Sequence, residues 1–256
     1  MLRIRFVLPL AIVAVAACKK EAPREPAPSA AAPAPNAAPA PAAKGATGGG
    51  SISGAVKLTG TPPEMALTKR QADPFCAKTP MKEEDVIVGP GGGLKNVIVR
   101  ITAGVTGHYD PPAAPANVDQ QACMYRPRVQ GIVLGQPLKI TNSDQTLHNI
   151  HGYKGPSTLF NQAEVPGLPP MTKQLNEADQ IVKLKCDVHP WMTAYVLVSS
   201  HPFFAVTGDD GTFKIPGVPP GSYTVEAWHE RYGAKTAQIT VAEGKPANAA
   251  FQFEAK

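Results

Sequence analysis

Within seven residues, the run Cys186-Asp187-Val188-His189-Pro190-Trp191-Met192 holds a thiol, an imidazole and a thioether. The flanking pattern limits what can carry it. Upstream, Val182, Leu184 and Cys186 alternate with Lys183 and Lys185, the period of a strand with one buried and one wet face. Cys186 is therefore expected to end a strand and point inward. Downstream, residues 194–198 form an apolar run that reads as the next strand, with Pro190 in the loop between. One hairpin would thus present Cys186, His189 and Met192 together. A separate strand, with Leu138 and Ile140 alternating with Lys139 and Thr141, runs into the turn signal Asn142-Ser143-Asp144, and His148 follows it.

Two imidazoles and a thiolate in a plane, with a weak axial thioether, are the ligands of a mononuclear blue-copper site. Thiolate favours Cu(I), while imidazole suits either oxidation state, so such a set changes oxidation state with little rearrangement. Three plainer readings compete. Cys-x-x-His alone is compatible with an inert core pair. A structural zinc site needs four nitrogen or sulfur ligands and has little use for methionine. A catalytic cysteine needs an oriented base and an oxyanion pocket, and no residues for these stand out. Taken together, the residues read as one type 1 copper per chain on His148, Cys186, His189 and Met192. Met171 is the alternative axial ligand, in a Pro-rich setting far from the hairpin.

Cys186-x-x-His189-Pro190-x-Met192, with His148-Asn149-Ile150-His151, resembles the ligand segments of the cupredoxins, in particular their short amicyanin-type ligand loop. The gap from His148 to Cys186 is also of that family's length, and the resemblance covers roughly residues 130–198. It implies a Greek-key β-sandwich, copper on the four residues above, and Asn149 tying the two ligand loops together. It further implies electron transfer without catalysis. The edge of His189 is expected at the surface, ringed by Val188, Pro190 and Trp191, as a docking patch for redox partners. Multicopper-oxidase chemistry is disfavoured, because six histidines in the whole chain leave too few for an additional trinuclear cluster.

A second unit follows. Residues 204–207, 212–215, 222–228, 234–241 and 247–253 read as strands with turn chemistry between them, including Gly208-Asp209-Asp210-Gly211. Gly211-x-Phe213-x-Ile215 and Pro219-Pro220-Gly221-x-Tyr223-x-Val225 resemble the carboxypeptidase regulatory-like domain. That resemblance implies a small transthyretin-like β-sandwich with a structural or docking role. The fold class expected is thus all-β, with a copper domain at 51–198 and the second sandwich at 199–256. Ser51-Ile52-Ser53-Gly54-Ala55-Val56 also looks like the opening strand of the second family, so pairing of 51–60 with the C-terminal sandwich stays open.

Arg3 and Arg5 precede an apolar run over residues 6–17, too short to span a bilayer and shaped like a secretory signal. Val15-Ala16-Ala17-Cys18 resembles a bacterial lipobox, which implies cleavage after residue 17 and lipidation of Cys18. Residues 18–50 are then a tether: from 21 to 50 the chain has seven prolines and no aliphatic side chain larger than alanine, so it cannot bury enough apolar surface to fold. The location expected is the periplasmic side of a bacterial cell envelope, with Lys19 and Lys20 leaning towards the outer membrane. Of four cysteines, Cys76 and Cys123 are left to pair in an oxidising compartment. The formal charge of +5 loses two positive charges with Arg3 and Arg5, leaving +3. With no basic patch interleaved with aromatics, nucleic acid is an unexpected partner. A tethered monomeric electron carrier is the favoured reading, and a copper-buffering or copper-delivery lipoprotein the alternative.

Overall fold

The computed structural model describes residues 49–256; the expected signal, Cys18 and nearly all of the expected tether lie outside them. Sixteen strands follow in chain order: β1 (Gly50–Thr59), β2 (Ile98–Ala103), β3 (Ala116–Gln121), β4 (Met124–Arg126), β5 (Val129–Val133), β6 (Leu138–Asn142), β7 (His148–Lys154), β8 (Ser157–Glu164), β9 (Met171–Lys173), β10 (Gln180–Lys185), β11 (Thr193–Ser199), β12 (Phe204–Val206), β13 (Thr212–Val218), β14 (Gly221–His229), β15 (Gly233–Val241) and β16 (Pro246–Glu254). Only two short 3-10 turns, Cys76–Lys78 and Pro90–Gly92, interrupt this all-β pattern among the described residues.

The strands form two sandwiches. In the first, a five-stranded sheet ordered β5-β11-β10-β7-β8 faces a four-stranded sheet ordered β4-β3-β6-β9. Its core gathers the apolar alternates that the sequence points inward: Leu138 and Ile140 of β6, Val182 and Leu184 of β10, and then Cys186 and Met192. In the second, the sheets are β13-β1-β16 and β12-β2-β14-β15. Ile52, Val56, Ile101, Phe213, Ile215, Tyr223, Val225, Phe251 and Phe253 fill it. Strand β1 approaches β16 so closely that a Cβ on Gly54 would lie 1.7 Å from the Ala249 carbonyl oxygen.

Strand pairing redraws the boundary expected near residue 198. Strand β1 pairs with β13 and β16, and β2 pairs with β12 and β14. Residues 50–59 and 98–103 therefore build the second sandwich, and the first sandwich is inserted between its strands. The reason lies in the faces: Val99 and Ile101 of β2 are buried in the core that Phe203 and Val225 share. The two sandwiches also meet in a small apolar cluster of Ile98, Val129, Val133, Tyr195, Leu197 and Phe204. This explains the continuous apolar run of β11. Ala194, Val196 and Val198 face the core of the first sandwich, and Tyr195 and Leu197 face the cluster between the sandwiches. At the same boundary Arg128 makes a buried bidentate ion pair with Glu230, at 2.7 and 2.8 Å.

Between β1 and β2 the chain has little regular structure, holding single bridges such as Leu67 to Lys82 and Val88 to Leu94. This excursion leaves the second sandwich and lies across the ligand loop of the first. Arg70 anchors it, only 2% exposed, with its guanidinium donating to the carbonyls of Thr79, Ala122 and Cys123.

Candidate metal centre

Strands β10 and β11 form the expected hairpin, paired antiparallel from Gln180–Val198 to Lys185–Thr193. Residues 186–192 are its loop, closed by two backbone bonds: Cys186 N–H to the Met192 carbonyl at 3.2 Å, and Met192 N–H to the His189 carbonyl at 2.9 Å. His148 opens β7 on the neighbouring strand of the same sheet. The hairpin and β7 thus bring Cys186, His189 and His148 together, with one donor atom from each lying within 4.8 Å of the others. All three are buried, and Met192 is fully buried in the core beside them.

The nitrogen atoms decide what this cluster is for. Nδ1 of His148 and Nδ1 of His189 face each other at 2.8 Å, and the Cys186 sulfur is 3.8 Å from the second of them. Each Nε2 is already engaged. That of His148 donates to Asp144 Oδ2 at 2.9 Å, and that of His189 donates to Asp73 Oδ2 at 3.0 Å. Carboxylates accept only, so both rings carry their proton on Nε2 and turn an Nδ1 lone pair inward. Two lone pairs at 2.8 Å repel unless a cation lies between them. The donor set, two imidazole nitrogens and a sulfur, fits a soft-to-borderline transition metal such as copper.

The thiol is prepared for the same role. Burial alone raises the Cys186 pKa, but the neighbouring His148 and His189 rings and the Asn149 backbone N–H outweigh it and bring it down to about 6. The Asn149 N–H lies 3.5 Å from the sulfur. Burial also lowers the His148 pKa, but Asp144 and Cys186 more than offset this and leave it raised. For Asp73, the Thr146 hydroxyl, two backbone N–H groups and His189 outweigh burial and hold its carboxyl at about 2.

Asn149 joins the two ligand segments. Its Oδ1 accepts from the Asp187 N–H at 2.6 Å, and its Nδ2 donates to Asp187 Oδ2 and to Asn161. Cys76 and Cys123 are joined by a disulfide, and Cys186 is the free cysteine among the described residues. Met171 lies on β9, at the edge of the opposite sheet. His148 and His189 also occur in two further donor groups, with Asp144 and Cys123 and with Asp73 and Cys76, but the sulfurs there are committed to the disulfide.

The expected docking patch is corrected by this geometry. Val188 is 49% exposed and Pro190 is exposed, but His189 is only 2% exposed. Asp73 and the Cys76–Cys123 bond cover its Nε2 edge, with the Cys76 sulfur 3.7 Å away. Trp191 turns towards the same cover: its indole N–H donates to the Cys123 carbonyl at 3.0 Å and its ring lies 5.0 Å from that of His189. The excursion between β1 and β2, which carries no strand periodicity, supplies this cover.

Asp144 and Asp73 were not among the candidates read from the sequence. Asp144 is four residues before His148, and in the sequence it signals only the turn Asn142-Ser143-Asp144. Asp73 lies 116 residues from His189 and has no local signal.

Part of the chain is similar to solved copper proteins. A purple cupredoxin from Nitrosopumilus maritimus is 26% identical, aligning 33% of this chain with 99% of that one, at a TM-score of 0.29. Amicyanin from Paracoccus versutus is 20% identical over 40% of this chain and 97% of that one, at 0.31. A copper-containing nitrite reductase from Thermus scotoductus is 18% identical over 38% of this chain and 24% of that one, at 0.30. Residues 189–254 match the family model of the carboxypeptidase regulatory-like domain. That span starts in the ligand loop and continues through β16. No curated protein matches the chain.

Proposed function

We propose that the chain is a copper protein that carries single electrons between redox partners, with one type 1 copper on His148, Cys186, His189 and Met192. The observation that carries this is the pair of imidazole Nδ1 atoms facing each other at 2.8 Å beside the Cys186 sulfur, with both Nε2 protons held by carboxylates. Copper bound there would supply a one-electron couple. The chain's own residues do the rest: Asn149 and the loop-closing backbone bonds hold the donors in place, and burial of all four excludes water. A donor set held by the fold's own hydrogen bonds needs little rearrangement when oxidation state changes.

Burial also favours a carrier over a buffer or delivery protein, because a site meant to release copper needs a path for a competing ligand. The regulatory-like sandwich is proposed as a structural or docking module. In this reading the chain is a monomer without catalytic activity or nucleic-acid binding, and Cys18 anchors it by lipid to the periplasmic side of a bacterial envelope, favouring the outer membrane. Repeated redox cycling tests the carrier role. The copper-loaded chain should take one electron from ascorbate and return it to ferricyanide over many cycles, in the presence of a moderate-affinity chelator, without losing metal. Copper passing to the chelator in either oxidation state would favour the delivery role.

A further inference from the structure

Both imidazoles of the candidate site lean on carboxylates, and the two carboxylates belong to segments that one disulfide joins. Asp73 Oδ2 accepts from His189 Nε2 and from the Thr146 hydroxyl at 2.7 Å, while its Oδ1 accepts from the Phe75 and Cys76 N–H groups at 2.7 and 3.2 Å. Asp144 Oδ2 accepts from His148 Nε2 and from the Cys123 N–H at 2.7 Å, while Oδ1 accepts from Ala122 N–H at 2.8 Å. Each carboxylate is therefore fixed by the backbone of one half-cystine: Asp73 by Cys76 and Asp144 by Cys123. The Cys76–Cys123 bond links the two clamps covalently. Arg70, donating to the Cys123 carbonyl at 3.1 Å, holds the junction from behind.

We infer that Asp73 and Asp144 are positioning residues that set the oxidation-state preference of the copper site. This inference rests on the type 1 copper reading above. A carboxylate accepting the Nε2 proton makes an imidazole a stronger donor through Nδ1 and adds negative charge behind it. Both effects favour the more highly charged Cu(II) over Cu(I). Two such carboxylates, one behind each imidazole, act in the same direction, so this chain should hold Cu(II) more strongly than the same four ligands without them. The disulfide makes the arrangement rigid: neither carboxylate can turn away without breaking its hydrogen bond to a half-cystine that the disulfide holds in place. The same cover closes the His189 edge, so the carboxylates tune the metal from a position that also shields it.

The experiment compares Cu(II) and Cu(I) affinities, measured separately by chelator competition, in the full chain and in Asp73→Asn. The amide keeps one acceptor oxygen for His189 Nε2 and removes the charge; its NH2 gives up the bonds that Oδ1 accepts from the Phe75 and Cys76 N–H groups, a structural loss that weakens both oxidation states alike and is read from the Cu(I) affinity. The expected result is a loss of Cu(II) affinity about tenfold or more beyond any loss of Cu(I) affinity, in the range usual for partners of metal-bound histidine, and a reduction potential raised accordingly. Asp73→Glu, which restores the charge, should recover part of the difference. Asp144→Asn should shift the balance in the same direction and decides the matter should Asp73→Asn not fold. Equal losses for both oxidation states, or none, with the visible copper band intact, would overturn the inference and leave the carboxylates as structural supports. Absence of that band in the unsubstituted chain would instead defeat the copper reading itself, so the two failures are distinguishable.

Discussion

Removing the bond between Cys76 and Cys123 should cost the chain about 4 kcal/mol. The two half-cystines are 47 residues apart, and in the chain-entropy model a cross-link closing a loop of that length removes roughly this much from the freedom of the unfolded state. Cys76 and Cys123 are 1% and 0% exposed, so the double substitution Cys76→Ala, Cys123→Ala leaves little new cavity beyond the missing sulfurs. The path of the loop adds a second expectation. Between the two cysteines the chain passes through β2, which belongs to the second sandwich, while Cys123 packs in the core of the first. The bond therefore ties the two sandwiches together in the unfolded chain, and its removal should destabilise both. Urea unfolding of the metal-free chain, followed by fluorescence and by far-ultraviolet circular dichroism, measures this. A loss of several kcal/mol, seen by both probes, is expected against a total of about 5–15 kcal/mol usual for a folded protein. A loss under about 1 kcal/mol would refute the reasoning, showing that the loop is already restrained in the unfolded chain or that the bond stores compensating strain.

Two other expectations concern the second sandwich and the boundary. Burial holds the His229 imidazole down at about 4, and the unfolded chain would bind its proton near 6.5. The folded pKa is depressed, so the contribution is fully present above pH 6.5, falls as pH drops towards 4 and totals about 3 kcal/mol at 1.36 kcal/mol per unit; His229→Gln should flatten that part of a stability profile, and an unchanged profile would count against it. At the boundary, a Cβ on Gly131 would lie 2.4 Å from the Phe204 ring, which is 2% exposed and packed in the shared cluster. Gly131→Ala should therefore cost about 1–3 kcal/mol by overpacking, partly recovered by Phe204→Leu, and thermal unfolding of the three chains would show it.

What was legible in the sequence was whatever local periodicity or residue chemistry encodes. The alternation of Val182, Leu184 and Cys186 placed a strand and its inward face, and the loop that follows placed two more donors within six residues of the thiol. The five strands of the regulatory-like sandwich after residue 203 were legible for the same reason, with glycine-rich turns between them. The disulfide followed from assigning the other cysteines. Strand β2 escaped because Val97, Ile98 and Val99 are all buried, so its run shows no alternation and does not say which sandwich it faces. The cover over His189 escaped for a different reason. Its contacts run through backbone carbonyls, a buried arginine and Asp73, and none of these leaves a period in the chain. The surface expected around His189 was inferred from the hairpin alone, which has no knowledge of a segment arriving from the other sandwich.

Copper titration of the purified chain tests the central claim most directly. Adding Cu(II) should produce an intense visible band from thiolate-to-Cu(II) charge transfer, saturating at one metal per chain, with an EPR spectrum of narrow hyperfine splitting. Cys186→Ser should abolish the band, whereas Met192→Leu should keep it and raise the reduction potential, since the axial ligand tunes a site of this kind. A colourless chain, or one that takes zinc in preference to copper when both are offered, would contradict the account.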